Sequence, residues 1–300
     1  MPVNEKIFSI HLNSNRPKNF KEFTETLVQN ASDPSSIEIL VHININDNNM
    51  IELITNLNNK YNNIVKYIET NLIKNYSDSW KPLNLLLKNT SPTVKLISCM
   101  NDEIRIMSKN WDLLLKKHLG IYKDDIFRIR CSKHRYAQYT DIWQCGYIPD
   151  GCCFYSKKWL DTVSEWNPCI GPDSYQECVS FYLNNYGQSF NRNIIDKDIV
   201  LEGEKVSEGL DIYERIKRSK ISYKAFFKLM SYKIQKRANS AAYKLANIIN
   251  KTRHNQIKEK KIFYFDYLKI NFLRRFNFFY HRGSPNHIIN TKLLNILFFL

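Results

Sequence analysis

Short apolar runs alternate with amphipathic stripes through the first two thirds of the chain, and each change of period marks a change of element. Residues 7–12 (IFSIHL) read as a buried strand closed by Asn13-Ser14-Asn15-Arg16-Pro17. Pro17 suits a first helical turn, with Ser14 or Asn15 as its cap. Phe20, Phe23, Leu27 and Val28 then share one face of a helix over residues 18–30. Asp33-Pro34 breaks the chain before a second, β-branched strand at 37–43 (IEILVHI). A polar loop with Asp47 leads to a helix bearing Ile51, Ile54 and Leu57. A third strand is expected at 64–68, a helix at 80–88, and a fourth strand at 94–98 that flows into Cys99-Met100-Asn101-Asp102-Glu103.

Beyond Glu103 the rhythm loosens. The pattern predicts a helix over 108–119 with Trp111, Leu114 and Leu115 inward, then strands at 126–130 and 152–155. Residues 136–149 are aromatic and irregular. A helix over 157–164 precedes the Pro168/Pro172 break, after which Asp173 opens a helix running to Leu183, with Tyr175, Val179, Tyr182 and Leu183 inward. A last strand is expected at 190–195. Strands and helices alternating over short loops imply an α/β protein with a three-layer, mostly parallel sheet. From about Tyr213 the chain reads as helical, basic and aromatic, which divides it into a body at 1–214 and a C-terminal region at 215–300.

Charge sharpens that division. Residues 1–214 carry 24 Lys and Arg against 27 Asp and Glu, whereas residues 215–300 carry 20 against 2. A near-neutral body with a cationic tail suggests chemistry in front and attachment to something anionic behind. Hydrophobic residues at 43% exclude wholesale disorder. The apolar run at 293–300 is far short of the roughly 18–20 residues that span a bilayer. The first residues, MPVNEKIFSI, show no basic and apolar leader, and the seven cysteines contain no CxxC pair. Together these predict a cytoplasmic protein without a disulfide framework or zinc site.

In open α/β sheets, ligands gather at the carboxyl ends of the strands. That rule nominates residues 13–16, 44–47, the Asn101-Asp102-Glu103 triplet and the loop before Asp173. The triplet is the sharpest of the four. Adjacent carboxylates at the end of an apolar strand repel each other and lose hydration, and a hard divalent cation such as Mg²⁺ or Mn²⁺ relieves both costs. The alternative is that Asp102 caps the next turn while Glu103 is solvated. On the triplet alone both readings stand open.

The order SIHLNSNRP, helix, SIEILVHIN, then Asn84 in PLNLL, then VKLISCMNDEI resembles family-two-like glycosyltransferases of the GT-A fold. The later segments FYSKKWLDTV and GPDSYQECVSFYL resemble the acceptor half of that family, and the likeness covers roughly residues 5–215. It implies a Rossmann-like nucleotide-binding half and metal-dependent transfer of a hexosyl-type sugar from a nucleotide-diphosphate donor to a glycan or lipid-linked acceptor, with inversion. It further implies that Asn13, Asn15 and Arg16 line the nucleotide pocket, with Asp47 near the base or ribose and Asn84 facing the donor. Asn101, Asp102 and Glu103 would stand for the family's acidic triplet, with Asp102 on the cation and Glu103 assisting. Asp173 would be the general base, with Glu177 one helical turn along as its substitute.

Two departures stand out. The triplet opens on Asn, and residues 198–216, where many relatives carry a metal-reaching His, have none, leaving Glu202 or Glu204 nearest. A weakly held or nucleotide-dependent cation follows, and a noncatalytic sugar- or nucleotide-sugar-binding descendant is the alternative.

Other residues read as ordinary. Cys152 and Cys153 fit core packing, His134 has no evident nucleophile to serve, and His281 and His287 are badly spaced for a helical metal site. Trp80, Trp143 and Trp166 fit core or rim positions better than stacking on a ligand. In the tail, Phe265, Leu268, Phe272, Phe276 and Phe279 form one helical stripe beside Lys269, Arg274, Arg275 and Arg282. Such a stripe lies on an anionic membrane face or docks on the body as core. Nucleic-acid binding is disfavoured, because no recognisable module accompanies the basic charge.

Overall fold

Seven strands form the central sheet in a computed structural model, which describes residues 5–74, 78–131, 152–169, 172–203, 228–251 and 257–260, with Pro172 and Asp173 described in their backbone alone. In chain order the elements begin β1 (Phe8–Asn13), α1 (Pro17–Gln29), β2 (Ile37–Ile43), α2 (Asn48–Lys60), β3 (Val65–Glu69), α3 (Trp80–Lys88) and β4 (Leu96–Cys99). Then come β5 (Ile104–Ile106), α4 (Trp111–Lys116), β6 (Arg128–Arg130), β7 (Cys153–Ser156) and α5 (Lys157–Val163). The described elements close with α6 (Pro172–Asn184), β8 (Asn193–Ile195), β9 (Leu201–Gly203) and α7 (Tyr232–Lys251).

Across the sheet the strands run β3-β2-β1-β4-β7-β6-β8. The first four are mutually parallel, β7 is antiparallel to both β4 and β6, and β8 is parallel to β6. A single reversed strand therefore interrupts an otherwise parallel sheet. β5 and β9 form a separate antiparallel pair.

Every residue of β2 and the first five of β1 are buried, as expected of parallel strands covered on both faces. One cover is α1, α2 and α4, whose Phe20, Phe23, Leu57, Trp111 and Leu115 pack with Phe8 and Ile10. The other is α3, α5, α6 and α7, through Leu86, Trp159, Val179 and Leu245. The three-layer α/β expectation holds.

The structure amends several local expectations. Ser14 does not cap α1: Arg16 takes the N-cap position without a side-chain cap bond, and the Ser14 hydroxyl turns instead to Asp102. The helix expected over 108–119 shortens to α4 because Asn110 adopts a left-handed conformation at φ 55°. The apolar stretch before it is strand β5, which pairs with β9 rather than with its sequence neighbours. Residues 190–195 begin with a 3-10 turn, so only the last three form β8. Cys152 and Cys153 are buried, as expected of core thiols.

Within the basic C-terminal region, α7 packs on the body. Ile234, Ala238, Ala242, Leu245, Ala246 and Ile249 join the core beside α5 and α6. Arg237 forms a two-pronged ion pair with Glu165, at 2.6 and 2.7 Å. The aromatic stripe at 265–279 lies outside the described residues, as do His134, Trp143, Glu204, His281 and His287.

Because Leu245 is fully buried, Leu245→Ala should cost about 2–5 kcal/mol. The exposed neighbour Lys244 should change to Ala within about 0.5 kcal/mol. Urea unfolding followed by circular dichroism reads both, and an unchanged midpoint in Leu245→Ala would show that α7 is separable from the body.

Candidate active site

The parallel pairing of β1 and β4 brings residues 88 apart in sequence into contact. Asn13 closes β1 and the loop after it carries Ser14, Asn15 and Arg16, while the loop after β4 carries Asn101, Asp102 and Glu103. Met100 N–H donates to the His11 carbonyl at 3.0 Å, so the two chains leave the sheet side by side. The loop after β2, with Asp47, lies across β1 from the triplet.

Asp102 is nearly buried, its side chain only 3% exposed. It receives the Ser14 hydroxyl at 2.6 Å and Arg16 Nε at 3.3 Å, and a terminal nitrogen of Arg16 closes on its other oxygen. The second terminal nitrogen of Arg16 holds Glu103. One guanidinium thus spans both carboxylates. Burial pulls the Arg16 pKa down, but the hydrogen bonds to Asp102 and Glu103 outweigh it and hold the group above its ordinary value. The neighbouring Arg105 turns away from the carboxylates, to the Asp102 carbonyl at 2.7 Å and to Glu22 at 2.9 Å.

The remaining expected residues make other contacts. Asn13 donates to the Ser79 carbonyl at 2.8 Å, and its own side-chain oxygen is buried without a partner. Asn15 and Asn101 are exposed. Asp47 caps α2, accepting from Met50 N–H at 3.2 Å. Asn84 commits its amide to another segment: its oxygen accepts from Trp166 and Asn167 N–H at 2.6 and 3.3 Å, and its nitrogen donates to the Asn167 carbonyl at 2.8 Å. Glu202 lies on β9 opposite Arg105 of β5.

The segment from Glu165 to Asn167, which leads toward α6, is held from three sides. Asn84 grips it from α3. Gln176 of α6 donates to the Glu165 and Trp166 carbonyls at 2.7 and 2.9 Å while accepting the Trp159 indole N–H at 2.9 Å. The Trp166 indole N–H, a donor only, meets His11 Nδ1 at 2.9 Å. His11 therefore carries its hydrogen on Nε2, facing the hydroxyls of Ser9 and Thr90 at 3.0 and 3.1 Å. Nothing in the local sequence pattern points to His11 or Gln176, and it offers Ser14 as a helix cap and as part of the loop at 13–16; the partners of all three are revealed only by their pairing in space. Trp80 lies at the start of α3 and Trp166 in the core, in line with their ordinary reading.

Asp173 is the second residue of α6, and its side chain lies outside the described residues. Glu177, a turn further along, is fully buried and forms a paired contact with Arg128 of β6, at 2.7 and 2.8 Å. The Arg128 pKa is pulled down by burial yet driven well above its ordinary value by Glu177. A carboxylate so enclosed has no open side toward an incoming hydroxyl.

The donor set can be tested against a divalent cation. Among the described residues no three His, Cys, Asp or Glu side chains gather into a cage. Two hard carboxylates do gather, with a guanidinium standing in as their cation. That suits Mg²⁺ or Mn²⁺, which are commonly held by one or two carboxylates with substrate phosphates completing the shell.

No protein-family model matches the sequence, and no curated protein matches it. Among solved structures, the mannosyltransferase PcManGT from Pyrobaculum calidifontis, determined with GDP-Man and Mn²⁺, aligns with a TM-score of 0.56 at 10% identity, over 97% of this chain and 84% of that one. TarS 1–349 from S. aureus with UDP-GlcNAc aligns more loosely, with a TM-score of 0.47 at 14% identity, over 82% and 73% of the two chains. The fold is GT-A-like. Among the described residues no helix is long and apolar enough to cross a membrane.

His11 gives the network a pH signature. Burial depresses its pKa from 6.5 to about 3, so between those values the unfolded chain binds a proton that the folded chain refuses. Stability should be level above the unfolded value and fall below it, by about 1.4 kcal/mol per pH unit from this group. Urea midpoints at about pH 7.5 and about pH 5 read the slope, which His11→Gln should flatten. The same slope in that variant would acquit His11.

Proposed function

We propose that the chain is a metal-dependent glycosyltransferase that moves a sugar from a nucleoside-diphosphate donor to a hydroxyl of a glycan or lipid-linked acceptor, with inversion. The reading rests on one observation above all: Asp102, Glu103 and Arg16 converge at the carboxyl ends of β1 and β4 in a GT-A-like fold.

In this reading Asn13, Asn15 and Arg16 hold the nucleotide diphosphate, and Asp47 lies toward the base or ribose. Asn101 lies on the donor rim. Asn84 serves the donor side by securing Trp166 and Asn167 beneath it. Asp102 and Glu103 hold the divalent cation, which when bound neutralises charge growing on the diphosphate leaving group. Asp173 takes the proton from the acceptor hydroxyl as that oxygen attacks the anomeric carbon. The bond from that carbon to the diphosphate oxygen breaks, and its electron pair leaves with the nucleoside diphosphate. Base and leaving group act on opposite sides of the sugar, so the base must come from a segment separate from the acidic triplet. α6 is such a segment.

A thermal-shift panel of UDP-, GDP-, CMP- and dTDP-sugars, with and without Mn²⁺, tests donor binding. One donor class should raise the melting temperature, with a gain of about 2.7 kcal/mol at a hundredfold excess over Kd. Asp173→Asn should keep that shift while transfer falls by about 10²–10⁴-fold. Glu177→Gln should instead destabilise the protein without ligand, since breaking a buried pair costs about 3–5 kcal/mol. A panel without any shift would remove the donor reading, and transfer by Asp173→Asn at nearly the wild-type rate would remove Asp173 as the base.

The same proposal places the C-terminal region on an anionic membrane face at the cytoplasmic side. Lys233, Lys236, Lys244 and Lys251 of α7 are exposed, and residues 232–251 contain no acidic residue. Each such charge near an anionic surface contributes about 1 kcal/mol. Sedimentation with liposomes should increase with anionic lipid, weaken with salt, and weaken further in Phe272→Glu/Phe276→Glu. Full-length protein indifferent to anionic lipid would sink the idea.

A further inference from the structure

Arg16 uses three nitrogens on the acidic pair: Nε and one terminal nitrogen on Asp102, the other on Glu103. We propose that Arg16 is the resident counter-cation of Asp102 and Glu103 and competes with a divalent metal ion for them, the metal loading as a nucleoside diphosphate draws the guanidinium away. The diphosphate half of this inference rests on the donor reading above; the competition itself does not.

Four observations carry it. The two carboxylates are adjacent in sequence and Asp102 is nearly buried, so a positive charge beside them stabilises the ionised pair when the metal does not. Arg105, the next guanidinium, is directed at the Asp102 carbonyl and at Glu22, leaving Arg16, among the described residues, as the cation on both carboxylate groups. The Arg16 side chain is 42% exposed against 3% for Asp102, so the arginine can swing into water while the carboxylate stays in place. Its backbone is independently secured, with Pro17 in the first turn of α1 and the Arg16 carbonyl accepting from Phe20 N–H at 3.0 Å.

The exchange is chemically matched. A guanidinium fork fits a phosphate as well as it fits a carboxylate. When Arg16 moves to the diphosphate, the acidic pair regains its full negative charge, and phosphate oxygens supply the ligands that two carboxylates lack. The Ser14 hydroxyl remains on one oxygen of Asp102 throughout and keeps that carboxylate oriented. The device makes metal binding depend on nucleotide without any movement of the sheet.

Titration with Mn²⁺ alone, followed by electron paramagnetic resonance of the free ion, tests the competition directly. Arg16→Gln should bind Mn²⁺ about tenfold more tightly than wild type, the scale of one charge-assisted hydrogen-bonded contact removed. Arg16→Lys keeps the charge but cannot span both carboxylates, so it should fall between them. Arg16→Gln/Asp102→Asn should lose the gain, tying it to this pair. With GDP or UDP added, Mn²⁺ affinity should rise more in wild type than in Arg16→Gln. Circular dichroism confirms that the variants are folded. If folded Arg16→Gln and Arg16→Lys both bind Mn²⁺ no more tightly than wild type, the competition is overturned. If Arg16→Gln gains Mn²⁺ affinity while neither these nucleotides nor dTDP affects wild type, the competition stands and the donor reading falls.

Discussion

Two carboxylates on consecutive residues, one of them almost wholly withdrawn from water, require a cation, and that requirement organises this end of the molecule. Asp102 and Glu103 come shortly after β4, a strand buried in all but its last residue. The charge that answers them comes from Arg16, after β1. Parallel neighbours direct their carboxyl ends to the same edge, so the hydrogen-bond ladder between β1 and β4 delivers the acids and the base together. Had the strands been antiparallel, the same residues would lie at opposite edges of the sheet. The electrostatic solution therefore depends on strand direction before it depends on any side chain.

A second group of buried polar residues fixes the other side of the site. Asn84, Gln176 and His11 satisfy the backbone and indole groups of residues 165–167. Unsatisfied buried groups cost about 1–3 kcal/mol each, so the segment has little freedom to shift. It precedes α6, which is itself anchored by the enclosed Arg128–Glu177 pair. A carboxylate one turn from the start of the helix thus serves packing, while Asp173 stands at the helix start, nearer the loop. α7 completes the arrangement by covering α5 and α6, so part of the basic C-terminal region belongs to the hydrophobic core rather than to an appendage.

Much of the fold was legible from periodicity. The runs at 7–12 and 37–43 are apolar along one face and carry Ser9, His11, Glu38 and His42 on the other, and they appear as β1 and β2, buried on both faces. Helical stripes such as Phe20, Phe23 and Leu27 mark α1 because burial demands that spacing. Short elements were less legible: of the three-residue strands, β6 and β8 lie within the longer strands expected at 126–130 and 190–195, while β5 and β9 were too short for a period to register. Asn110 delays the start of α4 by its left-handed backbone, which residue type alone does not dictate.

The sequence by itself determined the α/β class, the alternation of the first strands and helices, and the acidic triplet as a place of unusual charge density, because hydrophobic period and adjacent like charges are local properties. It also nominated Arg16 and Asp173 through motif order. Tertiary structure alone decided that Arg16 neutralises the triplet, that Ser14 serves Asp102 instead of capping α1, that Glu177 is locked by Arg128, and that β7 runs against its neighbours. Each of these joins residues from distant parts of the chain, and such a pairing is settled by strand order and burial. No window along the sequence contains both partners.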